Sequence, residues 1–427
     1  MRLNNPALLT TSHTLQSHYS DFQVDSRILL SGHSHQAWPN IAKQGLLDSF
    51  NDAALHIDDK WQAAFKKADK VKRFYGHLLG ETASEITLGA STHELLLRFI
   101  SDLPQLKIKQ PHRAIKIITT DGEFHSMRRQ LDRLQDINFI IEKIPVSPSE
   151  TLATRIIERF DNTTDAVMLS AVFFSSSEVF QDIGQVAQAA KDLSIPCLVD
   201  AYHALNVIPF NLNDWQLSSA FIIGGGYKYC QAGEGNCFMR LPKGYHGSPL
   251  ITGWFAEFEN LSQQASSVGY GQGHSAFSGS TYDPASHYRA AAVFDFFNKH
   301  KLNDKTLHHI NYTQINRLYS GIKSMKVHKN TLCLPQHSIE NNGGFLSLTT
   351  PQAQRWVTEL AKHNILCDSR GNQLRLGPAP YVSHTQLDNT LEVIEYLLRK
   401  IQNNSSTKPT LQDTAQKLVS THTQAID

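Results

Sequence analysis

Asp200, His203 and Lys228 have the clearest chemical use of any residues in this 427-residue chain. Asp200 closes an apolar run at 196–199, and His203 follows shortly after it. A second apolar run, 220–223, leads into Gly224-Gly225-Gly226 and then Tyr227-Lys228-Tyr229. Short apolar runs bounded by turn residues read as buried parallel strands. Ligands of open α/β sheets bind beyond the carboxyl ends of the strands, so a carboxylate and an amine are expected to face one cleft. Pyridoxal phosphate uses such a pair: a lysine for its Schiff base and an acid for its pyridinium nitrogen. The displaced lysine is also the natural base for a substrate Cα proton, because a desolvated amine has a lowered pKa. On spacing alone the plainer reading is the commoner one, an acid at a strand end and a surface lysine in a glycine turn.

Other residues extend the site. Ser91 and Glu94 fit a capping box ahead of an apolar helix at 95–100. The N-terminus of that helix offers free N–H groups and a positive dipole end to an anion. Phe124 follows a strand-like run at 114–119, where an aromatic ring can stack on a flat cofactor. Arg375 lies in a strand-like run at 373–376, and its planar fork suits a carboxylate in a way lysine does not. His33 and His35 are separated by one residue, but no further ligands at metal-site spacing follow, so no metal is expected.

The elements that must carry these residues alternate. Apolar positions recur at helical spacing through 41–80, and Gly80 ends them. Strand-like runs at 139–144, 166–174, 197–200 and 220–223 enclose a crossover helix at 183–193, the pattern of a doubly wound α/β lobe. Helical patterns return at 290–297 and 310–322, before short strands at 344–348 and 373–376. Hydrophobic residues make up 41% and charged ones 19%, with a net charge of +1, which gives no electrostatic case for nucleic acid or a membrane surface. Five scattered cysteines form no CxxC pair and point to a reducing compartment. The first twenty residues lack a charged segment followed by an apolar core, and no run is long enough to span a bilayer. A cytoplasmic location is expected.

The string Asp200-Ala-Tyr-His203, then Gly226-Tyr227-Lys228-Tyr229 and a Gly-rich turn, resembles the class V aminotransferase family of fold-type-I pyridoxal-phosphate enzymes, and within it the kynureninases. The resemblance runs from about residue 31 to 383. It implies a large doubly wound mixed-sheet domain at 41–285 and a smaller C-terminal α+β domain at 286–402. An N-terminal arm at 1–40 would pack on the small domain and border the active site, and 403–427 would be a flexible polar tail. By the same resemblance Ser91 and Thr92 hold the cofactor phosphate, with Trp254 close by. Phe124 stacks on the ring, Asp200 and His203 order it, and Lys228 binds it. Tyr227 supplies a proton or binds phosphate. Arg375 takes the substrate carboxylate, and the loop carrying His33 and Ser34 borders the substrate. Thr281 reaches the phosphate of a neighbouring subunit, which implies a homodimer with the active site at the interface.

The implied reaction is hydrolytic cleavage of the Cβ–Cγ bond of an amino acid with a γ-ketone, L-kynurenine or its 3-hydroxy form. Anthranilate or 3-hydroxyanthranilate and L-alanine are the products. The chain departs from the family pattern at several places. His33 stands for an asparagine, His35-Gln36 for Leu-Gly, His125 for a proline, Ser280 for a glycine and Tyr282 for a proline. Residues 171–177 read AVFFSSS where the family has His-Val-Asn-Tyr-Arg/Lys-Thr-Gly. An aminotransferase needs only Lys228, Asp200 and Arg375 and remains an alternative, as does a sulfur amino acid lyase. Cys367 lies eight residues before Arg375, which argues against a desulfurase. No Gly-x-x-x-x-Gly-Lys-Ser/Thr is present, which argues against a nucleotide-binding module.

Overall fold

The computed structural model describes residues 14–108, 113–260, 268–325 and 331–406. Residues 407–427, most of the expected polar tail, lie outside the described residues, as do 1–13 of the N-terminal arm. The described chain begins with β1 (Ile28–Leu29), α1 (Ile41–His56), α2 (Lys60–Leu79), β2 (Ile86–Gly89) and α3 (Thr92–Ser101). Then come β3 (Ile115–Thr120), α4 (His125–Leu134), β4 (Phe139–Ile144), α5 (Leu152–Ile157) and β5 (Thr164–Ser170). They are followed by α6 (Ile183–Asp192), β6 (Cys197–Asp200), β7 (Phe221–Gly224) and β8 (Cys237–Arg240). The remainder comprises α7 (Ala285–Lys299), α8 (Asp304–Ser324), β9 (Leu346–Thr349), α9 (Ala353–Ala361), β10 (Ile365–Leu366), β11 (Asp368–Arg370), β12 (Gln373–Leu376) and α10 (His384–Ser406).

The helical stretch expected over 41–80 is two helices rather than one. Ile57 adopts φ +48°, which interrupts the first, and Asp58 and Asp59 precede the second, where carboxylates favour the positive end of the helix dipole. Gly80 closes α2 at φ +72°, the left-handed cap that glycine reaches without a Cβ penalty.

Seven strands form one mixed sheet in the order β2-β8-β7-β6-β5-β3-β4. The five strands from β4 to β7 are parallel, β8 runs antiparallel to β7, and β2 at the edge runs antiparallel to β8. The β8 segment, CFMR, was not expected as a strand; its pairing with β2 and β7 makes it one. Along β5, Val167 and Leu169 join one core and Ala166 and Met168 the other, all fully buried. Strand side chains alternate between faces, so a strand covered on both sides loses the polar alternation of a half-exposed one. β5 ends at Ser170, four residues earlier than the apolar run implied. After β3 the chain builds β4 at the edge and then returns to place β5 on the other side of β3. That reversal of strand order opens a crevice at the carboxyl ends.

A second, three-stranded antiparallel sheet has the order β11-β12-β9, and β1 pairs with β10 in parallel. The chain after β1 continues along β12: Gly32 N–H donates to the Gly377 carbonyl at 2.8 Å, and Gly377 N–H to that of Leu30 at 2.6 Å. A Cβ on Gly377 would lie 2.3 Å from His33 Nδ1, so glycine is what lets the two segments lie so close. Gly377→Ala is expected to destabilise the protein by about 1–3 kcal/mol through overpacking, measured as a lower urea midpoint at unchanged m-value.

Candidate active site

Four carboxyl ends of the parallel strands deliver the predicted residues. Beyond β3 come Glu123 and Phe124. Ser170 ends β5, and the chain beyond it leads to Phe174. Asp200 ends β6 with His203 just after it, and β7 leads through the glycines to Tyr227 and Lys228. Ser91, Thr92, Phe124, Asp200, His203, Tyr227 and Lys228 line one cavity of about 230 Å³. Lys228 is only 4% exposed. Its Nζ lies 2.7 Å from His203 Nε2, 4.9 Å from the Tyr202 ring centroid and 5.1 Å from that of Phe124. Burial among these rings lowers its pKa to about 7, with Asp200 opposing the shift. Burial, together with the neighbouring Lys228, holds His203 well below its ordinary value, so its ring is neutral. Asp200 is pushed upward by burial and held down by the Tyr202 N–H, 2.8 Å from Oδ1, and by Lys228. Burial raises the Tyr227 hydroxyl well above its ordinary value.

The start of α3 closes another side of the cavity. Ser91 Oγ accepts from Glu94 N–H at 3.2 Å, so the expected N-cap is formed, while the Glu94 carboxylate reaches back one residue beyond the cap, to Ala90 N–H at 2.9 Å. Phe174 and Val172 supply the wall that the altered 171–177 segment contributes. The Phe174 ring meets Phe124 edge-on, with centroids 5.4 Å apart at 84°. A buried amine, a carboxylate, a helix N-terminus and an aromatic ring around one small cavity make the donor set pyridoxal phosphate requires. If His203 Nε2 accepts from the lysine, Nδ1 carries the ring proton, and that buried N–H has no partner among the described residues. The residues present fit the cofactor.

Trp254 and Thr281 lie elsewhere. Trp254 Nε1 donates to Thr281 Oγ1 at 3.2 Å, and Thr281 lines a larger cavity of about 800 Å³. Ala90, Glu234 and Gly235 form walls of both cavities. Ser34 Oγ sits 3.3 Å from His35 Nδ1. The His35 ring stacks on Tyr227 at 4.8 Å.

The 31–39 loop is polar and irregular, yet His33 and Gln36 within it are buried, and each finds a side-chain partner inside. Gln231 Nε2 donates to Gln36 Oε1 at 2.8 Å, and His33 Nε2 lies 2.8 Å from Asp368 Oδ1. Asp368 stands directly across β11 and β12 from Arg375. It takes the Arg375 Nε–H at 2.8 Å and an Nη2–H at 2.5 Å, and against the upward push of burial its contacts with His33 and Arg375 hold its carboxyl far below the usual range. Neither His33 nor Arg375 is among the residues lining the Lys228 cavity. Arg375 lies against its outer wall, donating to the Phe174 carbonyl at 2.7 Å. Among the described residues no group of three or more His, Cys, Asp and Glu is placed to hold a metal.

Sequence reasoning passed over Glu123 and Asp368. Glu123 is buried, with Thr120 Oγ1 donating to one oxygen at 2.6 Å and Ser170 Oγ to the other at 2.5 Å. A carboxylate between a glycine and an aromatic in a strand-end turn was its only sequence signal. Burial and the nearby Asp200 raise its pKa from 4.5 to about 7, against the two hydroxyl donors. A folded-state pKa raised this way means the native protein binds more protons than the unfolded chain between those values, so stability falls as pH rises through them. Glu123→Gln, which mimics the protonated form, is expected to gain relative to the parent by on the order of a few kcal/mol between pH 4.5 and 8. Urea unfolding of both proteins across that range checks it.

A search of family models found no match for this chain. Curated proteins do match. An uncharacterized aminotransferase of Bacillus subtilis is 21% identical over 392 residues, 87% of this chain and 94% of that protein. A kynureninase of Botryotinia fuckeliana is 21% identical over 397 residues, 86% of this chain and 80% of that one. Among solved structures, a cysteine desulfurase from Thermococcus onnurineus superposes with a TM-score of 0.74 at 16% identity, covering 91% of this chain and 98% of the other. The fold is thus that of the fold-type-I pyridoxal-phosphate enzymes. Within that class the chain is similar along most of its length to an aminotransferase and to a kynureninase, in keeping with the motifs around Asp200 and Lys228. Fold and relatives together support a pyridoxal-phosphate-dependent enzyme of the class V family.

Proposed function

We propose that this chain is a kynureninase-type hydrolase that cleaves the Cβ–Cγ bond of L-kynurenine or 3-hydroxykynurenine, releasing anthranilate or 3-hydroxyanthranilate and L-alanine. The observation that carries the reading is Lys228 in one cavity with Asp200, Phe124 and the N-terminus of α3. Pyridoxal phosphate, when bound, supplies an electron sink for charge developing at the substrate Cα. Lys228 is the residue that holds the cofactor and, with a pKa near 7, takes and returns the Cα proton at neutral pH. His203, 2.7 Å from Nζ, orders the lysine and accepts its N–H. Asp200 keeps a proton at the ring nitrogen. The N–H groups at Ser91 and Thr92 take the phosphate, and Phe124, braced by Phe174, covers the ring and excludes water. Tyr227 is at hand for a proton or a phosphate oxygen. Arg375 receives the substrate carboxylate.

The protein acts as a homodimer in this reading. Thr281 and Trp254 lie outside the Lys228 cavity of their own subunit and would serve the partner's phosphate. Apolar side chains exposed on α1 and nearby, Phe50 at 71% and Leu55 at 75% among them, support a surface covered by a second copy. Cys197, Cys230 and Cys237, buried as free thiols, support a reducing, cytoplasmic location. No helix among the described residues is long and apolar enough to cross a membrane.

The second reading is an aminotransferase, favoured by the match to the Bacillus subtilis protein over 87% of this chain. A desulfurase is disfavoured by Cys367, whose thiol burial pushes up to about 12, since the thiolate is the nucleophile. Protein loaded with pyridoxal phosphate is expected to be yellow and to release an anthranilate and alanine from the two kynurenines. Lys228→Ala is expected to lose both the colour and the turnover. Colour without either product, and amino transfer to keto acids instead, would establish the second reading. A protein that takes up no pyridoxal phosphate would remove both.

A further inference from the structure

The guanidinium of Arg375 has five N–H donors, and three are already engaged. Asp368 takes the Nε–H and one Nη2–H, and the Phe174 carbonyl takes one Nη1–H. One donor remains on each terminal nitrogen, the pair that a second carboxylate engages in a fork. Arg375 is 3% exposed, so burial limits the ways it can turn. What sets the plane of its fork is Asp368, held directly across the strand pair.

Asp368 is itself restrained. A carboxylate on one methylene can rotate, but His33 Nε2 holds Oδ1 at 2.8 Å. Burial lowers the His33 pKa to about 4, so the ring is neutral near pH 7 and a single tautomer, Nε2–H toward Asp368, satisfies the contact. The bare Nδ1 faces Gly377 and has no partner among the described residues, which is compatible with that tautomer. Phe345 fixes the other groups of the assembly: it stacks on the His33 ring at 4.4 Å, and the Arg375 guanidinium lies 5.5 Å from its centroid.

We propose that His33 and Asp368 are positioning residues for the carboxylate clamp. His33 locks the Asp368 carboxylate, and Asp368 sets the guanidinium plane so that the two unspent N–H groups of Arg375 meet the α-carboxylate of an amino acid substrate. His33 therefore acts through Asp368 and Arg375, without touching the substrate. The inference rests on the pyridoxal-phosphate, amino acid reading above, and it places this chain's departure from the family asparagine at position 33 in the frame behind the clamp.

The test is an equilibrium titration of the loaded protein, followed by visible absorbance, with L-alanine and with ethylamine, which lacks the carboxylate. In His33→Leu, L-alanine is expected to bind about tenfold more weakly while ethylamine stays within about twofold, since a misaligned clamp loses only the carboxylate contact. Asp368→Asn is expected to follow the same pattern. His33→Gln, whose amide nitrogen reaches about as far as the imidazole Nε2 and can still donate to Asp368, is expected to recover most of the loss. Arg375→Gln alone is expected to weaken L-alanine at least as much, and adding His33→Leu to it to change nothing further, because the two act as one unit. Equal losses for alanine and ethylamine would overturn the inference, as would effects of His33→Leu and Arg375→Gln that simply add. Unchanged alanine binding in both His33→Leu and Asp368→Asn would overturn it too. Thermal melts of the cofactor-free variants identify one that does not fold, in which case the other carries the comparison. If the parent protein forms no coloured complex, the cofactor reading falls and this inference falls with it.

Discussion

The burial of one amine governs the arrangement of the site. Lys228 sits among the rings of Tyr202, Phe124 and Tyr227 with almost no solvent contact. Removing an ammonium from water disfavours its charge, and the shift to about 7 follows from that desolvation more than from any partner. An amine poised near neutrality can exchange a proton at little driving-force penalty. The surrounding structure is consistent with keeping it so. A neutral His203 contacts the amine without adding a charge, and Asp200, a carboxylate in the cavity wall, opposes the fall of the lysine pKa.

The sheet explains how such a costly group is held. A lysine can be buried only on a scaffold whose stability comes from elsewhere, and here two apolar cores cover both faces of the strands that carry the site. The reversal of strand order between β3 and β5 leaves a crevice rather than a packed edge. The turns beyond the strands are tied across it, Glu123 bridging from the β3 side to Ser170 at the end of β5. Phe124 is the next residue, so that bridge also steadies the ring that faces Lys228.

A second frame stands behind the cavity wall, where the chain after β1 runs beside β12 and brings His33 to Asp368. The buried pair of Asp368 and Arg375 is costly to desolvate, and pairs of this kind are poor evidence for stability. Their value lies in geometry, because a guanidinium with three of its donors fixed presents the remaining two in one plane.

Some of this was legible in the chain itself. Asp200, His203 and Lys228 stand beside apolar runs and glycines, and those local signals suffice to put a carboxylate and an amine at strand ends. Ser91 and Glu94 announce their helix start in the same way, because a cap is made by residues three apart. Gly80 ends its helix by a backbone preference of its own. Other features have no local signature. β8 is a strand only because β7 and β2 flank it. His33 lies 335 residues from Asp368 along the chain, and nothing near either position foretells the contact. His33 and Gln36 in the polar loop are buried because their partners come from remote segments, and Glu123 gains its second hydroxyl donor only when β5 brings Ser170 to it. Local pattern determined the strand ends and the residues placed there; the packing of distant segments decided which of them share a cavity, which stand behind its wall, and what charge each one carries.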